Sequence, residues 1–90
     1  MLKIRVHRTF KKDLKRIERR GYDLTLLKVV VNLLAEKKLL PGKYKNHWLT
    51  GDYKGYQECH ITPDWLLVYQ IKNDELILVL SRTGTHSDLF

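Results

Sequence analysis

Three histidines and an aspartate gather in the second half of this 90-residue chain: His47, His60, Asp64 and His86. Imidazole titrates at about pH 6.5, so near neutrality one ring can accept a proton while another donates one. That pairing suits RNA cleavage through the 2′-hydroxyl. A base takes the hydroxyl proton, an acid protonates the 5′-oxygen leaving group, and cations neutralise the crowded phosphate. Arg82 and Lys54 are the candidate cations in this part of the chain. Trp65, Tyr56 and Phe90 lie beside the same segments, and aromatic rings are the usual platform for unstacked single-stranded bases. The same imidazoles and carboxylate could instead hold zinc or another divalent ion. The chain lacks the His-x-x-x-His spacing of a zinc helix, so the metal-free reading is preferred. Nothing matches a P-loop, a dinucleotide fingerprint or a serine nucleophile elbow. Cys59 is expected to be a buried strand residue rather than a reactive thiol.

The elements that must position these groups can be read from periodicity. Leu2, Ile4 and Val6 alternate with charged residues, which predicts a half-buried strand. Thr9 is a suitable N-cap for a helix over about 10–20. On it Phe10, Leu14 and Ile17 form a narrow apolar stripe. Lys11, Lys12, Lys15, Arg16, Arg19 and Arg20 occupy the opposite half of the wheel, with Asp13 and Glu18 on its borders. Gly21 suits the left-handed residue that closes such a helix. Asp23 can cap a second helix over about 24–38, which Pro41-Gly42 would stop. That helix is apolar around most of its circumference, so it should be covered on more than one side. Residues 41–54 read as a loop. Strands follow over 55–61, 65–71 and 75–81, joined by the short turns Thr62-Pro63-Asp64 and Asn73-Asp74.

The order β-α-α-β-β-β predicts an α+β fold, an αα-hairpin packed on a small sheet with an antiparallel three-stranded C-terminal meander. A chain this short closes one core, so residues 1–90 are expected to be a single domain. His60 and Asp64 flank a three-residue turn, where their side chains can meet at one rim of the sheet. Whether His86 returns to that rim depends on the register of the last strand.

Charge adds a second theme. The net charge is +7, and nine cations against two anions in the first twenty residues carry all of it. Such a one-sided field suits a polyanion or an acidic protein partner. The single cysteine allows no internal disulfide, and no apolar run reaches the roughly 18 residues of a membrane span. A soluble protein of the reducing cytoplasm is the expectation.

Several segments carry a resemblance. Tyr44-Lys-Asn-His47, Leu49-Thr-Gly51, Gly55-Tyr-Gln-Glu-Cys-His60, Pro63-Asp-Trp-Leu-Leu-Val-Tyr69 and Arg82-Thr-Gly-Thr-His-Ser-Asp-Leu-Phe90 resemble the YafQ family of bacterial toxins, within the RelE/ParE superfamily. Phe10-Lys-Lys-Asp-Leu-Lys15 is similar to the family's opening, so the resemblance spans the chain. It implies a type II toxin–antitoxin toxin, a ribosome-dependent endoribonuclease that cuts mRNA without a metal or other cofactor. The implied partners are mRNA, the ribosome and its RNA, and a cognate antitoxin, with the free toxin monomeric. The family's catalytic set falls on His47, His60, Asp64 and His86, with Trp65 and Phe90 in support. Glu58 matches an acidic position and Arg82 the family's arginine. Gln57 stands where relatives usually carry arginine, and Trp48 where they usually carry proline. The basic helix would then hold ribosomal RNA. The rival reading is a non-enzymatic RNA binder or ParE-like poison that acts through that helix alone; an inactive relative with only an antitoxin partner is a third.

Overall fold

The alternation at Leu2, Ile4 and Val6 produces β1 (Lys3–Val6) in the computed structural model, which describes residues 1–90. Two helices follow, α1 (Arg8–Arg19) and α2 (Leu24–Ala35), then β2 (His47–Trp48), β3 (Gln57–Thr62) and β4 (Trp65–Lys72). The chain ends with β5 (Ile77–Gly84) and a single helical turn, α3 (His86–Leu89). The five strands form one sheet in the order β1-β5-β4-β3-β2. The meander β3-β4-β5 is antiparallel, as its short turns require, while β1 adds in parallel beside β5. This is the expected α+β class. No helix is long and apolar enough to cross a membrane.

The helix ends show which local signals decided them. At the start of α1 the N-cap position falls on His7, and Thr9 does not cap. Thr9 Oγ1 instead donates to the Ser81 carbonyl at 3.0 Å. β1 has already ended opposite Leu80, so β5 needs other partners beyond that point, and α1 supplies them. Gly21 closes α1 in the left-handed region, as expected, with Tyr22 N–H donating to Ile17 at 3.3 Å. Asp23 caps α2 by accepting from the Thr25 amide at 3.0 Å, and the Thr25 hydroxyl and amide together lower its pKa. α2 stops at Ala35, before Pro41 is reached. Lys37 takes a left-handed φ of 59° there, and the Lys37 and Lys38 amides donate to Leu34 and Leu33 at 3.0 Å. The closure is the one Gly21 makes, without the glycine.

The helices and sheet share one core. Phe10, Ile17, Leu27, Val30, Val31, Leu34 and Ala35 pack on Cys59, Ile61, Trp65, Leu67, Tyr69, Leu78 and Leu80. The far side of α2 is not covered, since Leu26 and Val29 stay about half exposed. The opposite face of the sheet carries alternate residues of the same strands. Register places Glu58, Val68 and Arg82 in one row and His60, Leu66 and Gly84 in the next. Cross-strand partners share a face. Only a smaller cluster covers this one: Leu66, Val68 and Leu89, with Leu49, Tyr53 and Tyr56 against them.

Candidate active site

Pairing of β2 with β3 puts His47 opposite Glu58. The His47 ring approaches the Lys45 carbonyl through Nδ1 at 3.0 Å and the Glu58 carboxylate through Nε2 at 3.4 Å. The Lys45 carbonyl only accepts, so the Nδ1 contact places a proton on that nitrogen, while the Glu58 carboxylate faces the Nε2 side of the ring. Glu58 is buried beneath the ring. The loop that carries His47 is pinned by a short network. Tyr69 donates its hydroxyl to Asn46 Oδ1 at 2.6 Å, and Asn46 Nδ2 donates to Gln57 Oε1 at 2.9 Å. Gln57 therefore braces the loop from β3. Burial also raises the pKa of the Tyr69 phenol, keeping it a donor.

His60 lies two residues beyond Glu58 on the same face, its ring centroid 6.4 Å from that of His47. Its Nδ1 is 3.2 Å from the Pro63 carbonyl. That contact requires the proton on Nδ1 and leaves the Nε2 lone pair free. Asp64 is exposed in the β3–β4 turn. The turn gives His60 a backbone carbonyl as its partner.

The register of β5 answers the question about His86. Gly84 pairs with Leu66, which pairs with His60, so the last strand does return to the rim where β3 ends. A Cβ at Gly84 would lie 3.0 Å from Asp88 Oδ2 and 3.1 Å from its Cβ, at a φ of 153°. Only glycine fits this tight entry into α3. A capping box then closes the turn. Asp88 N–H donates to Thr85 Oγ1 at 3.2 Å, and Thr85 N–H donates to Asp88 Oδ2 at 3.0 Å. Arg20 grips the same carboxylate with two bonds, of 2.7 and 3.1 Å, and holds its pKa far below the usual carboxylate range. His86 and Phe90 stack at 5.3 Å between centroids, and Phe90 meets Tyr53 edge-on at 5.6 Å.

One open face thus gathers His47, Glu58, His60 and Arg82, with the linked rings of Tyr53, Phe90 and His86 at its β5 side. Other candidates are placed elsewhere. Trp65 is 1% exposed and cannot receive a base; its Nε1–H donates to Thr83 Oγ1 at 2.8 Å, and Tyr22 packs on it edge-on. Its support is structural. Lys54 is exposed in the turn before β3. On α1, Lys11, Lys12, Lys15 and Arg19 are exposed, whereas Arg16 and Arg20 turn towards Asp88. Asp13, read as a border residue, is 2% exposed and bonded to Arg82. Cys59 is buried, and burial pushes its thiol up to about 12, far from a nucleophile's range. No group of three or more His, Cys, Asp or Glu is spaced to hold a metal ion.

Sequence reasoning missed three features here. β2 is only two residues long, too short for periodicity to register. The Thr85-x-x-Asp88 spacing was a legible capping signal for α3. Tyr53 gave no signal beyond being one ring in an aromatic loop.

The family model for YafQ, a bacterial toxin of type II toxin–antitoxin systems, matches residues 2–90. The chain belongs to the YafQ toxin family. It is 42% identical over 82 residues to the mRNA interferase toxin YafQ of Escherichia coli K12, covering 90% of this chain and 87% of that one. A crystal structure of a metal-bound toxin from Helicobacter pylori superposes with a TM-score of 0.94 at 51% identity, over the full length of both chains. YafQ in the E. coli DinJ–YafQ complex gives a TM-score of 0.90 at 37% identity, covering all of this chain and 99% of that one.

Proposed function

We propose that residues 1–90 act as one toxin domain that cuts mRNA on the ribosome by attack of the 2′-hydroxyl on the adjacent phosphate. Family membership and identity to named mRNA interferases make the chain an endoribonuclease toxin. The observation that carries the mechanism is the single face on which His47, His60 and Arg82 converge, with His86 fixed beside them by α3.

His60 offers a free Nε2, so it serves as the base that takes the 2′-hydroxyl proton. His86, half-stacked on Phe90, delivers the proton to the 5′-oxygen. Arg82 supplies the fixed cation for the negative charge that develops on the phosphate, and His47, backed by Glu58, is a further acid–base group beside it. Asp64, exposed at the rim, is a second acid–base candidate next to His60. Phe90, 52% exposed, presents an edge on which an unstacked base can rest. Lys54 adds a flanking cation. The exposed cations of α1 hold ribosomal RNA, and the ribosome presents the mRNA that so small a chain could not orient by itself.

E. coli YafQ is found in complex with DinJ; a cognate antitoxin is the corresponding partner proposed for this chain, with the free toxin monomeric and cytoplasmic. The test is to induce wild type and His60→Ala in cells and map mRNA 5′ ends against the reading frame. Cuts at a fixed codon position in wild type alone support the reading. Equal cutting by both forms removes His60 from the chemistry.

A further inference from the structure

Asp13 lies on the helix whose other charged residues are exposed or only partly covered, yet it is the more deeply buried of the two buried carboxylates, at 2% exposure against 6% for Glu58. Its hydrogen bonds all come from β5. Oδ2 accepts from Arg82 Nε at 2.7 Å and from the Thr83 amide at 3.2 Å, and Oδ1 accepts from Arg82 Nη2 at 3.1 Å. Arg16 Nη1 approaches more loosely, at 3.7 Å. The position has a topological cause. β1 ends opposite Leu80, so the Thr83 amide lies on a bare stretch of β5, and the crossing helix reaches it with Asp13.

A buried carboxylate is costly to desolvate, and removing one partner of such a pair strands the other. Here the arrangement does more than satisfy the amide. Two of the three guanidinium nitrogens are fixed in a planar fork, which orients the third before any substrate arrives. A free arginine would have to give up its rotamer freedom at that moment. Asp13 also raises the Arg82 pKa, chiefly through its hydrogen bonds, but an arginine is cationic with or without it, so what Asp13 contributes is position.

We infer that Asp13 is a positioning residue of the active site, holding the Arg82 guanidinium so that its remaining edge meets the scissile phosphate. This rests on the phosphodiester-cleavage reading above. It also gives the basic helix a second role, since its buried side braces the chemistry that its exposed side brings to the ribosome.

The experiment is single-turnover cleavage of ribosome-bound mRNA by wild type, Asp13→Asn, Arg82→Ala and the double variant, with folding checked by thermal unfolding. Asp13→Asn keeps shape and an acceptor but loses the charged fork. Its cleavage rate should fall by about 10- to 100-fold, the scale of a misplaced reacting group, with the half-saturating ribosome concentration unchanged. In the Arg82→Ala background it should cause no further loss, because the two act as one unit. An unchanged rate, a loss confined to binding, or a full additional loss in the double variant would overturn the inference. Should Asp13→Asn fail to fold, Arg82→Lys decides: it keeps the cation without the fork and should lose rate to a similar extent, whereas full activity refutes a positioning role. Failure of wild type to cut ribosome-bound mRNA would sink the cleavage reading itself, an outcome separate from wild type cutting and Asp13→Asn matching it.

Discussion

The exposed face of α1 and the open face of the sheet both concentrate groups that attract phosphate, but they are built in opposite ways. On α1, Lys11, Lys12, Lys15 and Arg19 extend into solvent as long, flexible, hydrated side chains. On the sheet each group is held: His47 by Lys45 and Glu58, His60 by Pro63, Arg82 by Asp13. His86 is held through α3, which Asp88 ties to Arg20. Loose charges create a field that speeds encounter and adds affinity to any polyanion. Fixed donors and acceptors favour one arrangement of atoms, which is what a transition state requires. On the proposed function, docking falls to the helix and chemistry to the sheet.

The largest effect belongs to the sheet. His60→Ala and His86→Ala should each lower the cleavage rate by roughly 100- to 10,000-fold, the range of a lost general acid or base, while ribosome binding stays intact. Rapid-quench cleavage beside a sedimentation binding assay separates the two quantities. Next comes the helix. Changing Lys11, Lys12, Lys15 and Arg19 together to glutamine should leave the bound-state rate near wild type but weaken binding. The slope of log affinity against log salt should fall by up to about 3 to 3.5 units, since each neutralised phosphate contributes roughly 0.7–0.9. A rate loss without a change in that slope would reverse the assignment.

A smaller effect tests the link between the two regions. Thr85→Ala removes the N-cap of α3 at a cost of about 1 kcal/mol, visible as faster hydrogen exchange in the last turn. The paired Asp88 carboxylate sets the pH window. Its pKa is lowered in the folded chain, so its contribution is present above the unfolded value, about 3.9 for an aspartate. That contribution is lost only as pH falls through the still lower folded one. In a His86→Gln background, which removes the imidazole of α3, protection of that turn should therefore not change between pH 8 and pH 5. The smallest expected effect is none: native Cys59, buried with its thiol pushed up to about 12, should resist iodoacetamide at pH 8 until denaturant is added.

What could be read in the sequence follows the range of the forces involved. The alternation in β1, the stripe of Phe10, Leu14 and Ile17, and Gly21 are local signals, and each yielded its element. The three-strand meander was legible because its two turns are short. The end of α2 was not, since a lysine at position 37 accepts the left-handed conformation normally given to glycine. Partnerships across 69 or 68 residues left no local trace either. Asp13, read as a border residue, is a buried partner of Arg82, and Arg20, read as part of the basic face, ties down Asp88. Trp65 shows the same limit: its type suggested a base platform, but only the packed core reveals that its ring is covered. The histidines themselves were found by residue type and by family resemblance; β2–β3 pairing then brought His47 beside His60, and the register of β5 returned the chain before His86 to the same rim.

The most direct measurement is single-turnover cleavage of ribosome-bound mRNA by His86→Ala and by the four-cation α1 variant, each titrated against ribosomes. The account predicts a collapsed rate with unchanged half-saturation for the first, and a near-normal rate with a raised half-saturation for the second. Normal cutting by His86→Ala, together with a rate that collapses at saturating ribosomes when the α1 cations are lost, would contradict it.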